Sequence, residues 1–171
     1  MKRLIALCAV AGLATLPSMA VAEDAQDNVL LVASADTALN QLQLTVDGSG
    51  NGLFIEQVSA VGATAANSMD IDIRGDGNGG SMSGPFTGAL SETSLRPGLL
   101  MQSGQDNLMA VSVVGSGNLF AFSQTGDSNV ALASIVGENN QASVMQVGNG
   151  NIASFSQNGS GNSISLRQTS W

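Results

Sequence analysis

The side chains of this sequence that could do chemistry are amides and carboxylates. Histidine and tyrosine are absent, and the one cysteine, Cys8, lies in an apolar N-terminal run. The usual nucleophile–base pairs of covalent catalysis therefore have nothing to be built from. Metal-ligand clusters of Cys and His are equally out of reach. Paired carboxylates can act as acid and base, as in glycoside cleavage. Asp70 and Asp72 are such a pair, but they alternate with Ile71 and Ile73. On a strand the acids would share the face opposite the isoleucines, and solvent exposure is the simpler reading. No catalytic residue, cofactor or metal is assigned.

The amides carry a pattern. Asparagine stands at Asn107, Asn118, Asn129, Asn140, Asn151 and Asn162, an unbroken period of eleven. Glycine keeps the same period at Gly104, Gly115, Gly126, Gly137, Gly148 and Gly159. Glutamine occupies Gln102, Gln124, Gln146, Gln157 and Gln168, with Val113 and Ile135 in the two places between. A repeat this regular decides the architecture ahead of any local propensity. An amide donates and accepts at once, so amides stacked in a column can satisfy one another and survive burial.

The elements that would hold such columns are short strands. From Asn118, every second residue gives Asn118, Phe120, Phe122 and Gln124 on one face and Leu119, Ala121 and Ser123 on the other. That alternation is the strand period. The following units repeat it with Asn129, Ala131, Ala133 and Ile135, and with Asn140, Ala142, Val144 and Gln146. Asn151, Ala153, Phe155 and Gln157 come next, then Asn162, Ile164, Leu166 and Gln168. The amide face is read as internal and the opposite face, with Ser112, Ser123, Ser134 and Ser156, as outer. Four Gly-rich polar residues between strands make tight turns, the Gly104 to Gly159 series among them. Two strands per coil give a rung of 22 residues that places Gln102, Gln124, Gln146 and Gln168 in one column. Phe120 would face Ala133, Phe122 would face Ala131, and Ala142 would face Phe155, large against small. The fold class expected is all-β: a solenoid of strand–turn–strand repeats, amyloid-like in its stacking.

The pattern Asn140-x5-Gln146-x4-Asn151-x5-Gln157-x4-Asn162-x5-Gln168 resembles the curlin repeat. The resemblance covers 102–171, and extends to 40–57 through Asn40-x5-Val46-x4-Asn51-x5-Gln57. It implies a subunit or nucleator of curli, the functional amyloid fibres of bacterial biofilm matrix and surface adhesion. It also implies as partners the chain itself, other curlin-type subunits and the outer-membrane secretion machinery of the curli type. The rival reading is a capped, monomeric β-solenoid acting as an adhesin or glycan-binding module. A carbohydrate-active enzyme on a β-helix is more distant.

Residues 1–22 read as a secretory signal peptide: Lys2 and Arg3, an apolar core from Leu4 to Leu16, and Ala20-Val21-Ala22 as a small-x-small cleavage site. The apolar run is too short for a spanning helix, and no stable membrane insertion is expected. After cleavage, three arginines face thirteen carboxylates, a formal charge of −10, with no cysteine left. Such a chain lacks the cations that nucleic acid binding requires. Residues 23–39 form an acidic N-terminal segment with a weak strand, and 40–78 hold first, imperfect repeats. The stretch 79–100, with Pro85 and Pro97, is a loop or linker, and 101–171 hold the regular repeats. The phase breaks twice, for Asn67 lies sixteen residues past Asn51, and 78 to 107 spans 29. Two further motifs are best read as turns. Arg74-Gly75-Asp76 spells a cell-attachment triplet, and the run from Gly75 to Gly80 resembles calcium-binding β-rolls without their regular Asp columns.

Overall fold

The computed structural model describes residues 3–9, 18–23, 28–35, 40–80 and 85–171. Among the described residues, thirteen strands make up almost all the regular structure, in chain order: β1 (Arg3–Ala9), β2 (Ser18–Glu23), β3 (Val29–Ala35), β4 (Gln41–Asp47), β5 (Gly52–Ser59), β6 (Ser68–Arg74), β7 (Leu99–Gly104), β8 (Leu108–Val114), β9 (Leu119–Thr125), β10 (Val130–Val136), β11 (Gln141–Val147), β12 (Ile152–Asn158) and β13 (Ser163–Thr169). From β3 onward the chain alternates between two parallel sheets. The even sheet runs β4-β6-β8-β10-β12, and the odd sheet runs β3-β5-β7-β9-β11-β13. Like stacks on like, as in Gln146↔Gln124 and Val130↔Ile152, one 22-residue rung apart. The chain is an all-β solenoid.

The alternation of residue types is what makes this geometry stable. Even-sheet strands bury Leu42, Leu44, Met69, Ile71, Met109, Val111, Ala131 and Ala133. Odd-sheet strands bury Leu30, Leu53, Ile55, Leu100, Phe120, Phe122, Ala142 and Val144, and the two sets form one core between the sheets. Phe122 of β9 stacks on Phe155 of β12, with ring centroids 6.1 Å apart and planes at 7°. Alanines at 131, 133, 142 and 153 leave the volume that these rings occupy.

Both breaks in phase are insertions into a continuous stack. The turn between β5 and β6 takes up five additional residues around the exposed Val61. The second insertion lies inside a half-unit. Gly52 N donates to Asn78 O and Phe54 N donates to Gly98 O, so Gly79 and Gly98 fill neighbouring places on the odd sheet. The half-unit is Asn78-Gly79, then Gly98-Leu99-Leu100-Met101-Gln102, with the eighteen residues 80–97 leaving and returning between. The span of 29 is therefore eleven plus eighteen. The 85–98 part packs on the outer face of the odd sheet. Phe86, Leu90 and Leu95 bury themselves there against Ala121, flanked by Leu119 and Met145. Thr87 N donates to Gln141 Oε1 (3.0 Å) and Gln141 Nε2 donates to Thr87 Oγ1 (2.7 Å). Ser123 and Ser143, on the face expected to be solvated, are buried as a result.

This placement gives a sharp expectation. Removing 80–97 joins Gly79 to Gly98 and restores Asn78-x5-Gln102, whereas removing 81–97 leaves one residue too many. The 80–97 deletion should keep the β-sheet circular dichroism of the parent and most of its thermal stability. The 81–97 deletion should be clearly less stable, because a one-residue slip turns a strand's inward set outward. Equal melting temperatures for the two deletions would refute the in-strand junction.

Two strands differ from the rest. β1 lies antiparallel on β4, and β2 lies antiparallel on β3, at the leading edge of both sheets. They belong to the stretch read as a signal peptide, of which residues 1–2 and 10–17 lie outside the described residues.

Candidate functional site

Each repeat contributes one inward asparagine and one residue at the other end of the strand. Asn40, Asn67, Asn107, Asn129 and Asn151 precede the even strands, and Asn28, Asn51, Asn78, Asn118, Asn140 and Asn162 precede the odd ones. Both sets stack into columns. Asn140 N and Nδ2 both donate to Asn118 Oδ1 at 3.0 Å, and Asn129 makes the same pair of bonds to Asn107. Each Nδ2 also reaches the turn: Asn107 donates to Gly126 O (2.7 Å), Asn118 to Gly137 O (2.9 Å), and Asn140 to Gly159 O (2.8 Å). The asparagines thus tie rung to rung and strand to turn. Their burial carries no penalty because their groups are paired.

The glutamines form one column, on the odd sheet alone. Gln57 Nε2 donates to Gln102 Oε1 (3.0 Å), Gln102 to Gln124 (2.9 Å), Gln124 to Gln146 (2.9 Å) and Gln146 to Gln168 (2.8 Å). The second N–H of each crosses the core to a carbonyl where an even strand begins, as Gln124 does to Leu108 O (3.0 Å). The matching place on the even sheet is aliphatic, with Val46, Ile73, Val113 and Ile135 in line. Val113 and Ile135 are therefore members of a second column. Gln157 is the exception: it lies beyond Ile135 in that aliphatic column. Its Nε2 finds Gln141 O (3.1 Å), but its buried Oε1 has no partner.

The turn glycines are required by the neighbouring rung as much as by the turn. Gly115, Gly137 and Gly159 stack in one line, and Gly104, Gly126 and Gly148 in another. Gly137 has φ +124°, and a Cβ there would overlap the carbonyl oxygen of Gly159. Gly159, at the end of its line, has φ +110° and no such neighbour. Turn side chains add their own links: Asn149 Oδ1 accepts from Asp127 N (2.9 Å), and Asp127 Oδ1 accepts from Gln105 N (3.1 Å). Asp76 accepts from Ser49 N (2.8 Å) and Ser49 Oγ (2.9 Å). The Ser49 backbone bond first, and its hydroxyl second, hold the Asp76 carboxyl below its ordinary pKa. In the triplet 74–76, Arg74 pairs with Asp72 on its own strand (2.7 Å) and Asp76 accepts from Ser49 of the neighbouring turn, so both ends of the motif are engaged at the surface. Asp70 lies exposed on the outer face of the even sheet.

The columns have a direction. Up to the outermost rung, each column asparagine Oδ1 accepts from the rung toward the C-terminus, as Asn118 does from Asn140, and each column glutamine donates to it, as Gln124 does to Gln146. Among the described residues, β12 and β13 are the outermost strands at that end, each with one edge free. That end exposes Ile152 and leaves Phe155, Ile164 and Leu166 only partly covered. The leading end differs: there β1 and β2 lie antiparallel on β4 and β3, and Asn28 and Asn40 donate to Gly48 O (2.8 Å) and Gln57 O (3.3 Å).

No curated protein and no solved structure matches the chain. Residues 137–169 match the sequence model of the curlin associated repeat, a segment that runs from the turn before Asn140 through Gln168 and β13. That segment, with its asparagine and glutamine columns, is similar to the curlin associated repeat.

Proposed function

We propose that this chain is a secreted structural subunit, or a nucleator, of curli-like extracellular amyloid fibres that serve surface adhesion and biofilm matrix. The observation that carries the reading is the pair of free strand edges at β12 and β13, the outermost strands at that end among the described residues. There the backbone edges and the column amides are arranged to receive another rung of the same kind. An open strand edge is a template for a further chain. In a solenoid each rung contacts only its neighbours, so a second copy can continue the stack at no cost to the first. The partners are other copies, related curlin-type subunits, and secretion machinery of the curli type. The leader 1–22 directs export, and its removal also uncovers the β3 and β4 edges that β1 and β2 occupy in the full chain.

The test compares residues 23–171 with the full chain at equal concentration. Residues 23–171 should form thioflavin-positive fibres with diffraction spacings near 4.7 Å and about 10 Å. The full chain should show a many-fold longer lag, because antiparallel strands without Asn or Gln block one end. A 23–171 chain that stays monomeric for days at high concentration would sink the fibre reading and favour the capped adhesin.

A further inference from the structure

Resting on the fibre reading, we infer that successive copies join head to tail with a half-turn about the stack axis, so that the odd sheet of one copy continues the even sheet of the next. With β1 and β2 removed, the described residues of 23–171 hold eleven stacked strands, six in the odd sheet and five in the even. Strands alternate between sheets along the coil, so it both begins and ends in the odd sheet. The place that follows β13 lies in the even sheet, on the free edge of β12.

A second copy arrives with β3 first. Kept in the same orientation, it would set β3 on β13 and skip the place on β12. The whole edge of β12, a seven-residue strand, would then be left unpaired inside the fibre. Buried backbone groups without partners are what native structures avoid most consistently. Turned by half a revolution, the copy sets β3 on β12 and β4 on β13, and every edge is paired.

The side chains accept that register. Asn28 falls on Asn151, and Asn40 falls on Asn162. Each incoming asparagine then brings N and Nδ2 to an Oδ1, the link already made at 2.9–3.0 Å inside the chain between Asn151 and Asn129 and between Asn162 and Asn140. Leu30 and Val32 cover Ala153 and Phe155, and Leu42 and Leu44 cover Ile164 and Leu166. Parity alone selects the half-turn. Its consequence is a fibre whose docked 85–98 segment appears on alternate sides. The true repeat is eleven strand spacings, about 53 Å at ~4.8 Å each.

Residues 23–171 contain no cysteine, so engineered pairs report contacts between copies without background. Gln43, Ser154 and Ser165 all occupy the central outward place of their strands and are exposed. The half-turn puts Gln43 of one copy beside Ser165 of the next, whereas the unrotated join puts it on the Ser154 side. Neighbouring strand positions are ~4.8 Å apart, inside the Cα range of a disulfide. Fibres are grown reduced, oxidised, dissolved and run on non-reducing gels. The Gln43→Cys/Ser165→Cys variant should give a ladder of covalent oligomers, and Gln43→Cys/Ser154→Cys should run as monomer. A ladder from the 43/154 pair, or from neither pair, overturns the half-turn while leaving the fibre reading intact. Failure of 23–171 itself to form fibres removes the fibre reading instead, and this inference with it. Should the cysteines alone block assembly, the parent fibres decide by electron microscopy. A layer line at about 53 Å supports the half-turn, and its absence overturns it.

Discussion

Gly137→Ala is expected to be among the most damaging single substitutions in the chain, far worse than Gly150→Ala in the next turn of the sequence pattern. Both glycines have positive φ, +124° and +68°. At Gly150 nothing lies within 4 Å of the added methyl, so the cost is that of a left-handed conformation alone. That is about 1–2 kcal/mol. At Gly137 the backbone lies outside the region that side chains tolerate, and the methyl meets the carbonyl oxygen of Gly159 in the next rung. That carbonyl cannot retreat easily, because it accepts from Asn140 Nδ2 (2.8 Å). Strain of ~1–3 kcal/mol is therefore joined by a steric overlap and the loss of an interrung bond. Urea unfolding of freshly purified, unassembled chain should show Gly137→Ala losing much more stability than Gly150→Ala, or losing the cooperative transition altogether. Equal shifts would mean that the rungs are not packed closely enough for the glycine lines to matter.

The period of eleven and the alternation within each unit were legible because they are properties of single residues at fixed spacing. The inward face, the turns and the Gln102, Gln124, Gln146, Gln168 line all follow from counting. What counting missed is where the chain departs from its own period and returns. Asn78 to Asn107 reads as a loss of phase until the span is seen as eleven plus eighteen, and an insertion inside a strand leaves no local mark beyond its flanking glycines. The docking of Phe86, Leu90 and Leu95 on the outer face was foreshadowed only by apolar residues in a proline-containing loop. It was matched by the small side chains of Ala121, Ser123 and Ser143 opposite. Val113 and Ile135 looked like gaps in one column because sheet membership is set by the fold. Once alternate units are assigned to alternate sheets, the aliphatic line through Val46, Ile73, Val113 and Ile135 is as regular as the glutamine line.

Replacement of Gln146 by alanine should lengthen the lag of fibre formation markedly and weaken the single chain as well. Gln146 is fully buried, accepts from Gln124 (2.9 Å) and donates to Gln168 (2.8 Å) and Val130 O (3.0 Å). Truncation leaves groups on three different residues without their partner, at ~1–3 kcal/mol for each one that stays buried. Gln168 occupies the outermost rung and is half-exposed, so Gln168→Ala should barely move the unfolding curve of the monomer. It should still lengthen the lag, because its rung is buried when the next copy docks. Ser112→Ala and Ser134→Ala, on the outer face of the even sheet, should be near neutral in both measurements. Gln157→Ile supplies the opposite sign for the monomer. It continues the aliphatic column over Ile135 and removes a buried oxygen that has no partner, so unfolding should shift to higher urea. Thioflavin time courses and urea curves on these five variants separate the roles. Identical lags for the Gln146, Gln168 and serine variants would show that the glutamine column contributes nothing to assembly. A destabilised Gln157→Ile would show that its amide is satisfied by something other than the stack.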